Sequence, residues 1–107
     1  MVSKINKKLI LNLLRQEKPE LERSFGIKKM ALFGSFARDQ VKDTSDVDIL
    51  VELGRPLGLE FVRLANHLEE KLGREVDLAT FQSMQRLKGS LDKRQMIEEI
   101  EKDLIYV

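Results

Sequence analysis

One stretch constrains this chain more than the rest. The apolar run Lys29 to Phe33 ends in Gly34-Ser35. After ten intervening residues, Asp46-Val47-Asp48 opens a second apolar run that continues to Leu53. Side chains alternate faces along a strand, so Asp46 and Asp48 share one face about 7 Å apart. Val47, Ile49 and Val51 then point the other way, toward a core. A Gly-Ser turn beside such a carboxylate pair can be satisfied only if the end of the first strand lies beside the start of the second. The two strands are therefore expected to be antiparallel.

The rest of the chain fits elements around this pair. Ile5, Leu9, Ile10, Leu13 and Leu14 recur at helical spacing. Pro19 is expected to open a second short helix, with Leu21 and Phe25 inward and Gly26 as its end. A helical turn is expected over Phe36 to Asp39 and a polar loop from Gln40 to Ser45. Gly54-Arg55-Pro56 breaks the second strand. Phe61, Leu64, Ala65, Leu68 and Leu72 mark a helix closed by Gly73, and Glu75 to Ala79 forms a third strand. Strand, helix, strand is a crossover unit, so the second and third strands should be parallel. Met84, Leu87 and Leu91 suggest a helical stretch interrupted near Gly89-Ser90. Ile97, Ile100 and Leu104 suggest a last helix, and Ile105-Tyr106-Val107 an edge strand. The expected class is α/β (α+β): one domain, residues 1–107, with helices packed on a small mixed sheet.

Composition narrows the function. Charged residues make up 35% of the chain, yet the net charge is only +1, which gives no case for bulk nucleic-acid binding. No cysteine is present, so thiolate metal sites and disulfides are excluded. No apolar run approaches a membrane span, and the N-terminus does not resemble a signal peptide. A cytoplasmic location is the expectation. Lys7-Lys8, Lys28-Lys29 and Lys93-Arg94 are read as solvated faces, with a partner surface or a phosphate contact as the alternative. His67 lies off the apolar stripe and is read as an exposed helix residue. Met30, Met84 and Met96 are read as core filling.

The candidate site follows from charge. Two carboxylates on one face repel each other unless a cation lies beside them. Mg²⁺ suits them, being a hard ion held by one or two carboxylates plus substrate phosphates. Asp77, projecting from the neighbouring strand, could complete a site for two ions or take a proton from an attacking hydroxyl. Glu75 shares its face but sits at the strand's entry beside Arg74, which favours Asp77. Gly34 lets a phosphate approach the backbone. Ser35 offers a hydroxyl and starts a turn with free N–H groups. Arg38 could neutralise phosphate charge or hold a loop carboxylate such as Asp39 or Asp43.

Gly34-Ser35 followed by Asp46-Val47-Asp48 resembles the signature of the DNA-polymerase-β-like nucleotidyltransferase superfamily. With Leu32-Phe33 and Phe36-Ala37-Arg38 around it, the chain looks like the smallest branch, the minimal nucleotidyltransferases of prokaryotic toxin–antitoxin pairs. The resemblance spans roughly Lys28 to Thr80. It implies a palm-like mixed sheet, with Asp46 and Asp48 as metal ligands and Asp77 as the third carboxylate. Gly34 and Ser35 would hold the triphosphate of ATP. Antitoxins of this branch transfer AMP from ATP to a tyrosine of a helical HEPN-type ribonuclease toxin and silence it. A chain this short has little room for its own acceptor-binding domain, which independently favours an acceptor brought by a partner. The alternatives are a toxin-binding module without catalysis and a nucleotidyltransferase acting on a small-molecule hydroxyl.

Overall fold

The computed structural model describes residues 6–40 and 46–107. The expected loop from 40 to 45 therefore lies almost wholly outside the described residues, as do Ile5, Asp43 and Ser45. The elements run α1 (Lys7–Phe25), β1 (Ile27–Phe33), α2 (Gly34–Ala37), β2 (Val47–Leu53), α3 (Glu60–Leu72), β3 (Val76–Thr80), α4 (Phe81–Lys88), α5 (Arg94–Lys102) and β4 (Ile105–Tyr106).

The strands form one mixed sheet in the order β3-β2-β1-β4. β1 pairs antiparallel with β2 and β4, and β2 pairs parallel with β3. The antiparallel and parallel pairings both follow the expectation. The parallel pair is joined by α3, the crossover that such a connection requires. β4 is the expected edge strand, and its pairing carries on where the Val107 N–H donates to the Met30 carbonyl at 2.9 Å.

The two faces of the sheet are packed differently. On one face α1 contributes Ile10, Leu14 and Leu21, and α3 contributes Leu64, Leu68 and Leu72. These close over Met30, Leu32, Val47, Ile49 and Val51, all buried. Each such side chain stabilises the fold by about 1.5–3 kcal/mol relative to exposure. On the other face α4 and α5 cover Leu50 with Met84 and Ile97, flanked by Phe33, Ala79 and Ile100. Asp48 and Asp77 share that second face, one alternation step beyond Leu50 and Ala79.

Four expectations need correction. Pro19 does not begin a second helix; it lies inside one continuous α1. Its ring is exposed, and the buried Leu14 and Leu21 lie on either side of it on one helical face. Burying both offsets the one backbone bond that proline cannot make. His67 is not an exposed residue. It is part-buried, with Nε2 2.8 Å from Glu17 Oε1, and its ring lies 6.3 Å from that of Phe25. The pair ties α3 to α1. Met96 is 49% exposed and fills no core, whereas Met30 and Met84 are buried as expected. Leu91 falls in the turn after α4, whose C-cap is Gly89, and is 93% exposed.

The Glu17–His67 pair carries a modest, measurable stability. A double-mutant cycle with Glu17→Ala and His67→Ala should show a coupling of about 0.5–1 kcal/mol in urea unfolding. Strictly additive single effects would mean that the contact contributes nothing beyond packing. Among the described residues, no helix is long and apolar enough to cross a membrane.

Candidate active site

The site is built where β1 ends and β2 begins. Phe33, the last residue of β1, is extended, and the chain then turns through Gly34 at φ +74° into the single helical turn α2. Buried Phe36 and Ala37 anchor that turn in the core. Two backbone bonds close it: the Arg38 N–H donates to the Gly34 carbonyl at 3.1 Å, and the Gln40 N–H to the Ser35 carbonyl at 2.8 Å. The Arg74 guanidinium sits 5.5 Å over the Phe36 ring, on the same turn.

Register brings the carboxylates to the turn. In the antiparallel ladder Phe33 opposes Asp48, and in the parallel ladder Asp48 stands beside Asp77. The Val47 N–H, donating to the Glu75 carbonyl at 2.9 Å, fixes the level of that second pairing. Glu75 itself precedes β3, so Asp77 is the carboxylate that the strand sets against Asp48. Asp46 stands exposed at the entry to β2.

Asp48 occupies the centre. Its carboxyl is pushed up to about 6 from an ordinary 3.8. Burial is the largest cause, followed by repulsion from Asp77 and then Asp46, with a hydrogen bond to Asp77 adding to the rise. The Arg38 guanidinium pulls the other way. Arg38 is not held by Asp39; its Nη1 lies 3.6 Å from Asp103 Oδ2 and its Nε 3.4 Å from Gln40 Oε1. Asp43, the other expected partner, is outside the described residues. Sequence reasoning missed Asp103 because it follows α5, at the far end of the chain, and no local spacing pairs it with Arg38.

Gly34 proves to be shaped by Asp48 as well as by any ligand. A β-carbon at position 34 would overlap Oδ2 of Asp48 and lie 2.8 Å from its Cγ. The carboxylate thus packs directly over the backbone of the Gly-Ser turn. Among the described residues, no three Asp, Glu, His or Cys side chains form a ready-made metal-binding group. The donor set is nonetheless all oxygen, and Asp48 has two acidic neighbours and a raised proton affinity. A group in that state can hold either a proton or a hard cation.

A mixed sheet bearing two paired aspartates against a Gly-Ser turn is an arrangement suited to handling a phosphate chain and its counter-ions. The chain matches the nucleotidyltransferase domain family over residues 14–107. It belongs to that family. Its relatives include a protein of Methanocaldococcus jannaschii assigned as a protein adenylyltransferase, 38% identical over 92% of this chain and 94% of the relative. The protein adenylyltransferase MntA of Thermococcus cleftensis is 36% identical over 92% of each chain. Among solved structures, one assigned as a minimal nucleotidyltransferase superposes with a TM-score of 0.67 at 28% identity, covering 97% of this chain and 98% of the other. A chain of the toxin–antitoxin complex MntA–HpeT superposes with a TM-score of 0.54 at 25% identity, over 78% of this chain and 65% of that one.

Proposed function

We propose that this chain is a Mg²⁺-dependent protein adenylyltransferase that transfers AMP from ATP to a tyrosine hydroxyl of a cognate HEPN-type toxin, acting as its antitoxin in the cytoplasm. The observation that carries this reading is the pairing of Asp48 with Asp77 over the Gly34-Ser35 turn. Relatives named protein adenylyltransferase support the reaction type. The toxin–antitoxin complex among the structural neighbours supports a protein partner.

The residues divide the work. Ser35 and the N–H groups of its turn bind the triphosphate, and Arg38 offsets its charge. Asp46, Asp48 and Asp77 would hold Mg²⁺, with phosphate oxygens completing its shell. When bound, the ion neutralises charge on the phosphate oxygens and the leaving pyrophosphate. Asp77 accepts the proton as the tyrosine oxygen attacks the α-phosphorus. A new O–P bond forms, the bond to the pyrophosphate oxygen breaks, and AMP stays on the tyrosine. Holding both reactants in line supplies much of the rate through lost translational freedom.

Intact-mass analysis tests this directly. The protein is incubated with ATP, Mg²⁺ and the product of the neighbouring reading frame. An AMP adduct on the partner, absent with Asp46→Ala or Asp48→Ala, is expected. Neutralisation of the partner by those variants, with no adduct at any stage, would overturn the enzymatic reading in favour of simple binding. Labelling of a small alcohol in place of the partner would overturn the protein substrate.

A further inference from the structure

We propose that the cleft between the N-terminal half of α1 and the turn after α2 docks an acidic segment of the partner protein. The cleft has a volume of about 390 Å³ and is lined by Asn6, Lys7, Lys8, Leu11, Arg15 and Asp39. That volume lies in the range of sites for small ligands and short peptide segments. The partner is the one the functional reading supplies, so the proposal rests on that reading for its identity but not for its binding.

Helical geometry makes the cleft basic. Lys7 and Lys8 precede Leu11 by four and three residues, and Arg15 follows it by four, so all four lie along one side of α1. Leu11 is nearly buried at 9% exposure and forms an apolar floor between the cations. None of the three cations has a hydrogen-bond or ion-pair partner among the described residues. Arg23, Lys88 and Arg94 are paired with glutamates, whereas Lys28, Lys29 and Lys93 are, like the three cations of the cleft, without a hydrogen-bond or ion-pair partner among the described residues. What sets Lys7, Lys8 and Arg15 apart is that they share one cleft, as a positive stripe unneutralised among the described residues, within a chain whose net charge is only +1.

The cleft adjoins the site without entering it. Asp39, its opposite wall, belongs to the turn that folds back where the Gln40 N–H meets the Ser35 carbonyl. An acidic segment would be repelled by Asp46, Asp48 and Asp77 and attracted by the stripe of α1. Charges of opposite sign at the two places thus set which part of the partner goes where, and speed the encounter. The lining favours peptide over nucleic acid. A phosphodiester chain is held by long tracks of cations, whereas this cleft has an apolar floor and a carboxylate wall. Leu11 suits the aliphatic part of a peptide, and Asp39 can accept its backbone N–H.

The test uses a defined probe, the peptide Ac-Glu-Leu-Glu-Glu-Leu-Glu-amide, titrated into isotope-labelled protein without ATP. Amide shifts should cluster at Lys7, Lys8, Leu11, Arg15 and Asp39. Affinity should fall about tenfold in the double variant Lys8→Glu/Arg15→Glu, and should fall with added salt. A second arm measures AMP transfer to the partner. The same variant should raise KM for the partner about tenfold and leave kcat within about twofold. Shifts scattered over other exposed lysines, equal binding of the all-glutamine peptide, or tighter binding of tripolyphosphate or a short oligouridine at these residues would each overturn the proposal. The two readings fail separately. Peptide binding in the cleft with no adduct ever formed on the partner sinks the enzymatic reading alone. Adduct formation unaffected by the variant, with no peptide bound, sinks the docking proposal alone.

Discussion

Asp48→Asn should abolish AMP transfer while making the nucleotide-free protein more stable at neutral pH. The two effects share one cause. Asp48 is half-buried, faces Asp77 and Asp46, and holds its proton up to about pH 6. In the unfolded chain the same carboxyl titrates near 3.8. Below that value both states carry the proton, and the residue has no effect on stability. Between about 4 and 6 the folded state alone retains the proton, so stability falls as pH rises. Above 6 the folded protein bears a partly desolvated charge among like charges, and the penalty is complete.

Asparagine removes that penalty and keeps the shape. After allowance for solvent screening at a half-buried group, the gain at pH 7.5 should be about 1–2 kcal/mol, or about 5–10 °C in thermal midpoint. At pH 4 variant and parent should melt together. The measurement is thermal unfolding across pH with a chelator present. A variant less stable than the parent at pH 7.5, or a gap that persists at pH 4, would show that Asp48 is not under electrostatic strain. On the proposed function transfer should fall ~10³-fold or more, because the lost charge is one that would hold the cation offsetting the phosphate charge. Asp46 is exposed, and Asp46→Asn should lose activity with little change in melting. Asp48, whose replacement should end activity but raise stability, is a residue kept for chemistry at a cost in stability.

Much of this site was legible because its residues sit at short, fixed spacings. Alternation from Val47 sets Asp48 on the face opposite the core, while Asp46 stands just before the strand. A Gly-Ser turn ending one strand beside another demands an antiparallel return. Val47–Leu53 was bounded correctly, since alternation and the Gly54-Arg55-Pro56 break both mark it. The parallel partner followed from the crossover helix, and that partner is what sets Asp77 beside Asp48. Features that depend on tertiary packing were not legible. Pro19 carries the local signal of a helix start, but burial of Leu14 and Leu21 overrides it. The partners Arg38–Asp103 and His67–Glu17 are far apart in the chain, and each residue alone resembles an ordinary surface charge. Met96 is apolar in itself, but α5 turns the neighbouring Ile97 inward, as its spacing implies, and leaves Met96 half exposed.

The second large effect is expected from Gly34→Ala, and the structure supplies its own control. Gly34 and Gly58 both adopt left-handed backbone, at φ +74° and +56°. An added β-carbon meets nothing within 4 Å at Gly58, but runs into the Asp48 carboxylate at Gly34. Gly58→Ala should therefore report conformational strain alone, about 1 kcal/mol. Gly34→Ala bears the same strain and also displaces a half-buried carboxylate, for a total of about 2–3 kcal/mol. The displacement should matter more for function than for folding. A shift of about 1 Å in a group that positions the reacting phosphate can cost about 100-fold in rate. Adding Gly34→Ala to a protein that already carries Asp48→Gly removes the clash, including the 3.1 Å approach to the Asp48 β-carbon that an alanine there would keep. In that background the second substitution should cost only what Gly58→Ala costs. Equal costs of Gly34→Ala in both backgrounds would mean that the carboxylate does not pack on the turn. The proximity of Asp48 to the Gly-Ser backbone, on which the whole site depends, would then be wrong.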